Sequence, residues 1–359
     1  MSGSSLKFDR SALGGWWPLR LVACLCFLVG SCDRLNSRGP LKEVRLGYFA
    51  NLTHAQAVLG VWSGDFATAV TPAQLSTQVF NAGPALIEAL LAGEIDVAYV
   101  GPGPVLNAQV QTHGQGVRVI AGAASNGVLI VARESSGIKT MQDLRGKRLA
   151  TPQHGNTQDL AARHFLRFDL GQDSDDNIQP VPNAEQAGAM SRGQIDAAWA
   201  PEPWGSFLVA RAGAHVVGEE KDLWPQKEFT LTVVITTPDF LADHPDVVRK
   251  LLQVHRAWTR RLAEHPQQYV PQLGSALFAL TGKQLPPGVL PAALTRIKFT
   301  DEPLMPTFAA LANWSYELEA TMQRPNLAGL FDTSILQSLQ QADGAPVKEV
   351  ARASHDRSN

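Results

Sequence analysis

The chain has 359 residues, 45% of them apolar, and 31 Lys and Arg against 33 Asp and Glu, for a formal net charge of −2. That length suits two domains sharing one polypeptide, and the near-neutral balance gives no basic face for a nucleic-acid partner. All the cysteines (Cys24, Cys26 and Cys32) fall in the first 32 residues, so the body carries neither a disulfide framework nor a cysteine metal site.

The amino terminus reads as an export signal. Lys7, Arg10 and Arg20 precede the apolar run "LVACLCFLVG" (21–30), which has signal-core length and is short for a membrane span. The run ends in "LVGSC". Small residues before a cysteine resemble the lipobox of bacterial lipoproteins, which implies cleavage before Cys32 and a lipid on it. A plain secretory signal and a buried apolar helix are the alternatives. Asp33 resembles the signal for retention at the inner membrane. Residues 33–42 are polar with Gly and Pro and read as a linker.

"VRLGYF" (44–49) is the first expected strand. "GPALIEALLAG" (83–93) is a short helix, with Pro84 in its first turn and Gly93 at its end. The phrase "GEIDVAYVGPGP" follows (93–104), and "GQIDAAWAPEPW" (193–204) nearly repeats it. Each reads as helix end, buried strand and proline-bounded turn. Strands are expected at 117–124 and 127–133, a short helix at 141–144, a strand at 147–151 and a helix from Thr157 with Asn156 as N-cap. A helix near 184–190 leads into the second copy. Residues 229–237 form another buried strand, and the chain then reads mostly helical to about Gln340. The polar tail, 343–359, is expected to be disordered.

The lipobox, "FNAGPALIEALLAGEIDVAYVGPGP", "GIKTMQDLRGKRLATPQHGNTQDLAAR" and "IDAAWAPEPW" together resemble a substrate-binding protein of an ABC importer. The resemblance is to the nitrate/sulfonate/taurine group, in particular its aliphatic-sulfonate-binding branch, and it runs from about Val44 to about Pro266. It implies an α/β, two-lobed periplasmic-binding-protein fold of type II, with two crossover strands and a helical C-terminal part. The crossings are expected near 127–134 and 229–237. The expected division is 1–31 signal peptide, 32–42 linker, 43–128 with 232–342 as the first lobe, 129–231 as the second, and 343–359 as tail.

Three strand-to-helix loops are candidate ligand contacts: 50–56, 101–108 and 154–159. None holds a lysine or arginine. A helix start exposes unpaired N–H groups and partial positive charge, a ready anion site. Asn51, Thr53 and His54 come from the first loop, Gly101, Pro102 and Gly103 from the second, and Gly155, Asn156, Thr157 and Gln158 from the third. The plainer reading makes Thr53 a helix cap and His54 a packed ring. Ser125 and Asn126 lie at the first expected crossing, as cleft donors or as an ordinary turn. Trp204 is either an apolar wall over the ligand or lobe core. Glu202 meets a cationic group of a zwitterionic ligand or forms an interlobe salt bridge. His255, His265 and the cluster "HRAWTRR" read as solvated helix faces, or as a permease-docking surface.

The catalytic signatures G-x-S-x-G, G-x-x-x-x-G-K, H-E-x-x-H and G-x-G-x-x-G are missing, and the histidines lack metal-ligand spacing. The expectation is therefore a non-enzymatic receptor at the periplasmic face of the inner membrane, monomeric and free of cofactor and metal. It would capture a small oxyanionic organic solute, an aliphatic sulfonate or taurine-like compound, for an ABC permease and its ATPase. The alternatives are a pyridoxal-phosphate-using pyrimidine-precursor synthase on the same fold, or a sensor of nitrate, bicarbonate or a pyrimidine precursor.

Overall fold

The computed structural model describes residues 41–344. The signal sequence, Cys32 and nearly all of the linker and of the tail lie outside the described residues; Asp343 and Gly344, placed in the tail, end a helix instead.

The chain begins β1 (Glu43–Phe49), a single 3-10 turn, α1 (Ala55–Trp62), α2 (Asp65–Val70), β2 (Gln74–Phe80), α3 (Gly83–Leu91), β3 (Val97–Val100), α4 (Pro102–Gln111) and β4 (Arg118–Asn126). A second group follows: β5 (Val128–Arg133), β6 (Leu149–Thr151), α5 (Thr157–His164), β7 (Ile178–Pro180), α6 (Asn183–Ser191), β8 (Ala197–Pro201), α7 (Trp204–Ala212) and β9 (Ala214–Glu219). The last group is β10 (Thr230–Thr236), α8 (Pro238–Asp243), α9 (Pro245–Glu264), α10 (Val270–Thr281), α11 (Val289–Leu294), β11 (Ile297–Phe299), α12 (Met305–Glu317) and α13 (Ser334–Gly344).

Two sheets result. The first has six strands in the order β11-β4-β10-β3-β1-β2, and the second has five in the order β7-β6-β8-β5-β9. β1, β2 and β3 run parallel, whereas β10 is antiparallel to both β3 and β4. The inner strands β3, β5, β8 and β10 are almost wholly buried. This is the expected fate of short Val/Ile/Ala runs covered by helices on both faces. β2 was not expected. Its sequence, "QLSTQVF", is largely exposed at the sheet edge, so no apolar run marks it.

The repeated phrase is repeated structure. Gly93 and Gly193 end α3 and α6 with φ of 72° and 70°, and each strand that follows leads through a turn into a helix. The likeness extends to an ion pair. Asp96 Oδ2 accepts the backbone N–H of Arg45 (2.8 Å) and its Nε (3.0 Å). Asp196 Oδ2 accepts the same two groups of Arg148, at 3.2 and 2.9 Å. In each lobe the aspartate of the "ID" step ties the loop before one strand to the start of its neighbour. Arg148's hydrogen bonds hold the Asp196 carboxyl well below the usual range.

The chain leaves the first sheet at Asn126–Gly127, two consecutive residues with left-handed φ of 62° and 79°. It returns through the segment between β9 and β10. The strand expected to carry that return, 229–237, instead runs inside the first sheet as β10. Asn126 clasps the two passages together. Its Oδ1 accepts the Phe229 N–H (3.2 Å), and its Nδ2 donates to the Lys227 carbonyl (3.3 Å).

His255 corrects the solvated-face reading. It is buried, and its Nδ1 lies 2.8 Å from the Tyr99 hydroxyl. The apolar stripe of α9 turns it inward, whereas His265 is exposed. In the basic cluster, Arg256 pairs with Asp301 and Asp343, Arg260 with Asp343, and Arg261 stacks over Trp258.

Candidate functional site

The three expected loops converge. A small cavity between the two sheets is lined by Asn51, Thr53, His54, Gly101, Asn156, Thr157 and Gln158, together with Phe49, Asn81, Asn183, Pro201, Leu231 and Thr232. No lining residue carries a formal charge except through a protonated His54.

His54 stays neutral. Burial pushes its imidazole down to about 3. Its Nδ1 faces the backbone N–H of Phe49 at 3.3 Å, and the Phe49 ring stacks on it at 4.4 Å between centroids. An N–H only donates, so Nδ1 is the acceptor and the ring proton sits on Nε2. The residue is a neutral hydrogen-bond donor.

Four hydrogen bonds join the lobes around the cavity. Trp204 Nε1 donates to Asn51 Oδ1 (2.7 Å), and the Gly83 N–H donates to Asn156 Oδ1 (3.1 Å). The Gly103 N–H donates to Thr157 Oγ1 (3.1 Å), and the Leu52 N–H to the Glu202 carbonyl (3.1 Å). The first two fix the amides. Indole and backbone N–H groups cannot accept, so the atom facing each is the amide oxygen. What remains of Asn51 and Asn156 is the NH2 end. The Thr157 hydroxyl, once its oxygen has accepted, likewise has its hydrogen left to give. Closure of this site thus biases it toward donors, which suits an anion.

Thr232 completes the set. It is 1% exposed, and its Oγ1 has no hydrogen-bond partner among the described residues. A register shift in β10 against β4, between Thr230 and Thr232, marks a bulge there. Bulges re-aim side chains beside sites, and here consecutive residues, Leu231 and Thr232, both line the cavity. Thr232→Val is expected to keep or raise the melting temperature of the ligand-free chain, since the hydroxyl satisfies nothing there. It should weaken ligand binding about tenfold or more. Equal binding by calorimetry would remove Thr232 from the site.

The other expected residues stand beside the cavity. Pro102 and Gly103 form the first turn of α4. Pro102 and Pro104 have no N–H, and that of Gly103 goes to Thr157, so α4 lends the cavity little backbone donation. The glycines serve lobe approach instead: a Cβ on Gly101 would lie 2.5 Å from Thr157 Oγ1, and one on Gly103 3.0 Å from the Thr157 backbone nitrogen. Gly155, with φ of 76°, gives its N–H to Asp159 Oδ2. Asn156 precedes α5 but makes no side-chain cap; its oxygen is spent on Gly83. Ser125 donates to Glu228, and Asn126 holds the crossings.

Trp204 is buried behind the lining, edge-on to Phe207, and reaches the site through Asn51 rather than as a wall. Glu202 is fully buried. Its carboxylate accepts from Ser206 N–H and Oγ and from Arg296 Nη1 (3.2 Å). Burial pushes this carboxyl up, against the Ser206 and Arg296 bonds. Of its two readings, the structure displays the salt bridge.

Phe49, Asn81, Asn183, Pro201, Leu231 and Thr232 were not anticipated. A signal existed for two of them: Asn-Ala opens both "NAGPALIEALLAGEID" (81–96) and "NAEQAGAMSRGQID" (183–196), so the repeat extends back to the cavity.

The sequence over residues 37–269 matches the NMT1-like family. The chain belongs to the NMT1-like family. Among NMT1-like relatives, a putative binding protein of Brucella abortus is 28% identical over 243 residues, covering 63% of this chain and 69% of that one. The taurine-binding periplasmic protein of Escherichia coli is 28% identical over 172 residues, 47% of this chain and 52% of its own. The solved structure of the alkanesulfonate-binding protein SsuA of Xanthomonas axonopodis pv. citri, bound to MOPS, superposes with a TM-score of 0.69 at 21% identity. That alignment covers 82% of this chain and 99% of the other. The fold is the type II periplasmic-binding-protein fold. Among the described residues, no helix of this NMT1-like chain is long and apolar enough to cross a membrane.

Proposed function

We propose that the protein is an extracytoplasmic receptor that captures a small oxyanionic organic solute, an aliphatic sulfonate or taurine-like compound, and delivers it to an ABC permease and its ATPase. One observation carries this reading: a small interlobe cavity whose fixed polar groups are uncharged donors, supplied by both lobes at once. A sulfonate has three acceptor oxygens and no donor, and the Phe49, Pro201 and Leu231 edges can take a short alkyl chain. Neutral donors in a water-poor cleft hold an anion without a counter-charge. Contacts from both lobes favour the shut form, since a ligand shifts the balance only by its preference for one state. The names of the relatives, taurine-binding among them, point the same way.

The lining holds no lysine to anchor pyridoxal phosphate, so nothing there favours the synthase reading. Isothermal titration of the chain with methanesulfonate, ethanesulfonate and taurine tests this. The expected result is one site per chain with micromolar or tighter affinity for at least one of them. No heat and no thermal shift with any of the three would overturn the proposal.

A further inference from the structure

A second polar groove lies on the first lobe, at the end of α4 remote from the cleft. It holds about 500 Å³ and is lined by the last turns of α4, the turn into β4 and the segment 323–329. Two arginines and a histidine (Arg118, Arg324 and His113) share it with the amides of Gln109, Gln115, Gln323 and Asn326, and no lining residue is acidic.

The groove is built rather than incidental. Arg118 Nη1 donates to the carbonyls of Gly114 (3.0 Å) and Val117 (2.7 Å), which pins the guanidinium and leaves Nε and Nη2 without an acceptor among the described residues. Arg324 rests over the Tyr316 ring, 5.6 Å from its centroid. Neither arginine has a carboxylate within ion-pair distance among the described residues, as is also true of Arg145, Arg167, Arg192, Arg211 and Arg249, but these two share one groove. The third feature is Gln109. It is 3% exposed, its Nε2 ties down the Asn326 carbonyl (2.9 Å), and its Oε1 is buried with no partner. A buried acceptor left unpaired costs about 1–3 kcal/mol. Two unpaired guanidiniums ask for an oxyanion, and the unpaired amide oxygen asks for a hydroxyl or N–H beside it.

We infer that this groove is a second binding site, for an oxyanion carrying a neighbouring hydroxyl, of the glycerol-phosphate type. The phosphate meets Arg118 and Arg324 in forked hydrogen bonds, for which guanidinium geometry is suited. A hydroxyl donates to Gln109 Oε1. The same chemistry occurs in a free phosphate ester and in the headgroup of an anionic phospholipid. The site is separate from the cleft and does not depend on what the cleft binds.

The test is titration of the full chain with sn-glycerol 3-phosphate and with inorganic phosphate, and sedimentation with vesicles of phosphatidylglycerol or phosphatidylcholine. The expected result is one site per chain for the ester, at least tenfold tighter than for inorganic phosphate. Arg118→Gln and Arg324→Gln should each weaken it tenfold or more, leaving cleft binding unchanged. Arg324 is exposed, so its variant keeps the test readable if Arg118→Gln folds poorly. Arginine-dependent binding to phosphatidylglycerol vesicles alone would assign the headgroup as the source. No binding in either arm, or binding indifferent to both arginine substitutions, would overturn the inference.

Discussion

Asn156→Leu is expected to weaken ligand binding by a hundredfold or more while the circular dichroism spectrum stays that of the native chain. The side chain does two jobs at once. Its oxygen takes the Gly83 N–H across the cleft (3.1 Å), and its NH2 end is left for the cavity. Leucine removes a donor to a charged ligand, worth about 1.5–3 kcal/mol, and strands the Gly83 N–H on closure, at about 1–3 kcal/mol. The sum corresponds to a loss of about two to four orders of magnitude. Asn156→Asp separates the two jobs. A carboxylate still accepts from Gly83, so the lobes keep that bond, but it places negative charge where the solute's charge belongs. Binding of an anion should fail in this variant too. If Asn156→Asp bound a sulfonate as well as the native chain does, the donor role of Asn156 would be disproved.

Between pH 7.5 and 5, His54, His255 and Glu220 together should cost the native chain about 2 kcal/mol of stability, because two opposing effects partly cancel. Burial pushes His54 down to about 3 and His255 to about 4. The unfolded chain protonates both near the ordinary 6.5, so their contribution is present above that value and is lost as pH falls. That amounts to about 2 kcal/mol each by pH 5. Glu220 acts in reverse. Burial pushes its carboxyl up to about 7, against the hydrogen bond from the Trp199 indole, whose Nε1 lies 2.6 Å from its Oε2. Its contribution is present at low pH and is lost as pH rises through 7, so acidification returns about 2 kcal/mol. Glu220→Gln should therefore lose about 4 kcal/mol over the same interval, and His255→Gln close to none. Urea midpoints at the two pH values measure all three. Identical pH dependence in native and variant chains would show that these groups titrate normally.

Much of this architecture was legible because it rests on local rules. Glycines at 93 and 193 stop helices, prolines stop the strands after them, and the buried runs between admit only a covered sheet. The three loops that reach the cavity were legible for the same reason. What escaped depends on pairings distant in sequence. Glu202 finds Arg296 94 residues away, and no local pattern connects them. Leu231 and Thr232 reach the cavity through a bulge, which breaks the alternation from which facing is read. The expected backbone grip gave way at α4 because Pro102 and Pro104 lack the N–H it needs. Side-chain amides line the cavity there, with their direction set by the opposite lobe.

The bonds that orient Asn51 and Asn156 have a kinetic consequence. Their donors, Trp204 and Gly83, sit across the gap from the amides they orient. While the jaws stand apart, either amide is free to swivel and offer oxygen or nitrogen to a visitor. Solutes of quite different character can therefore enter and dwell briefly on equal terms. Sorting among them comes afterwards, during shutting, when the swivel is frozen and only acceptor-rich guests are retained. Such a receptor would discriminate by how long a guest stays rather than by how quickly it arrives.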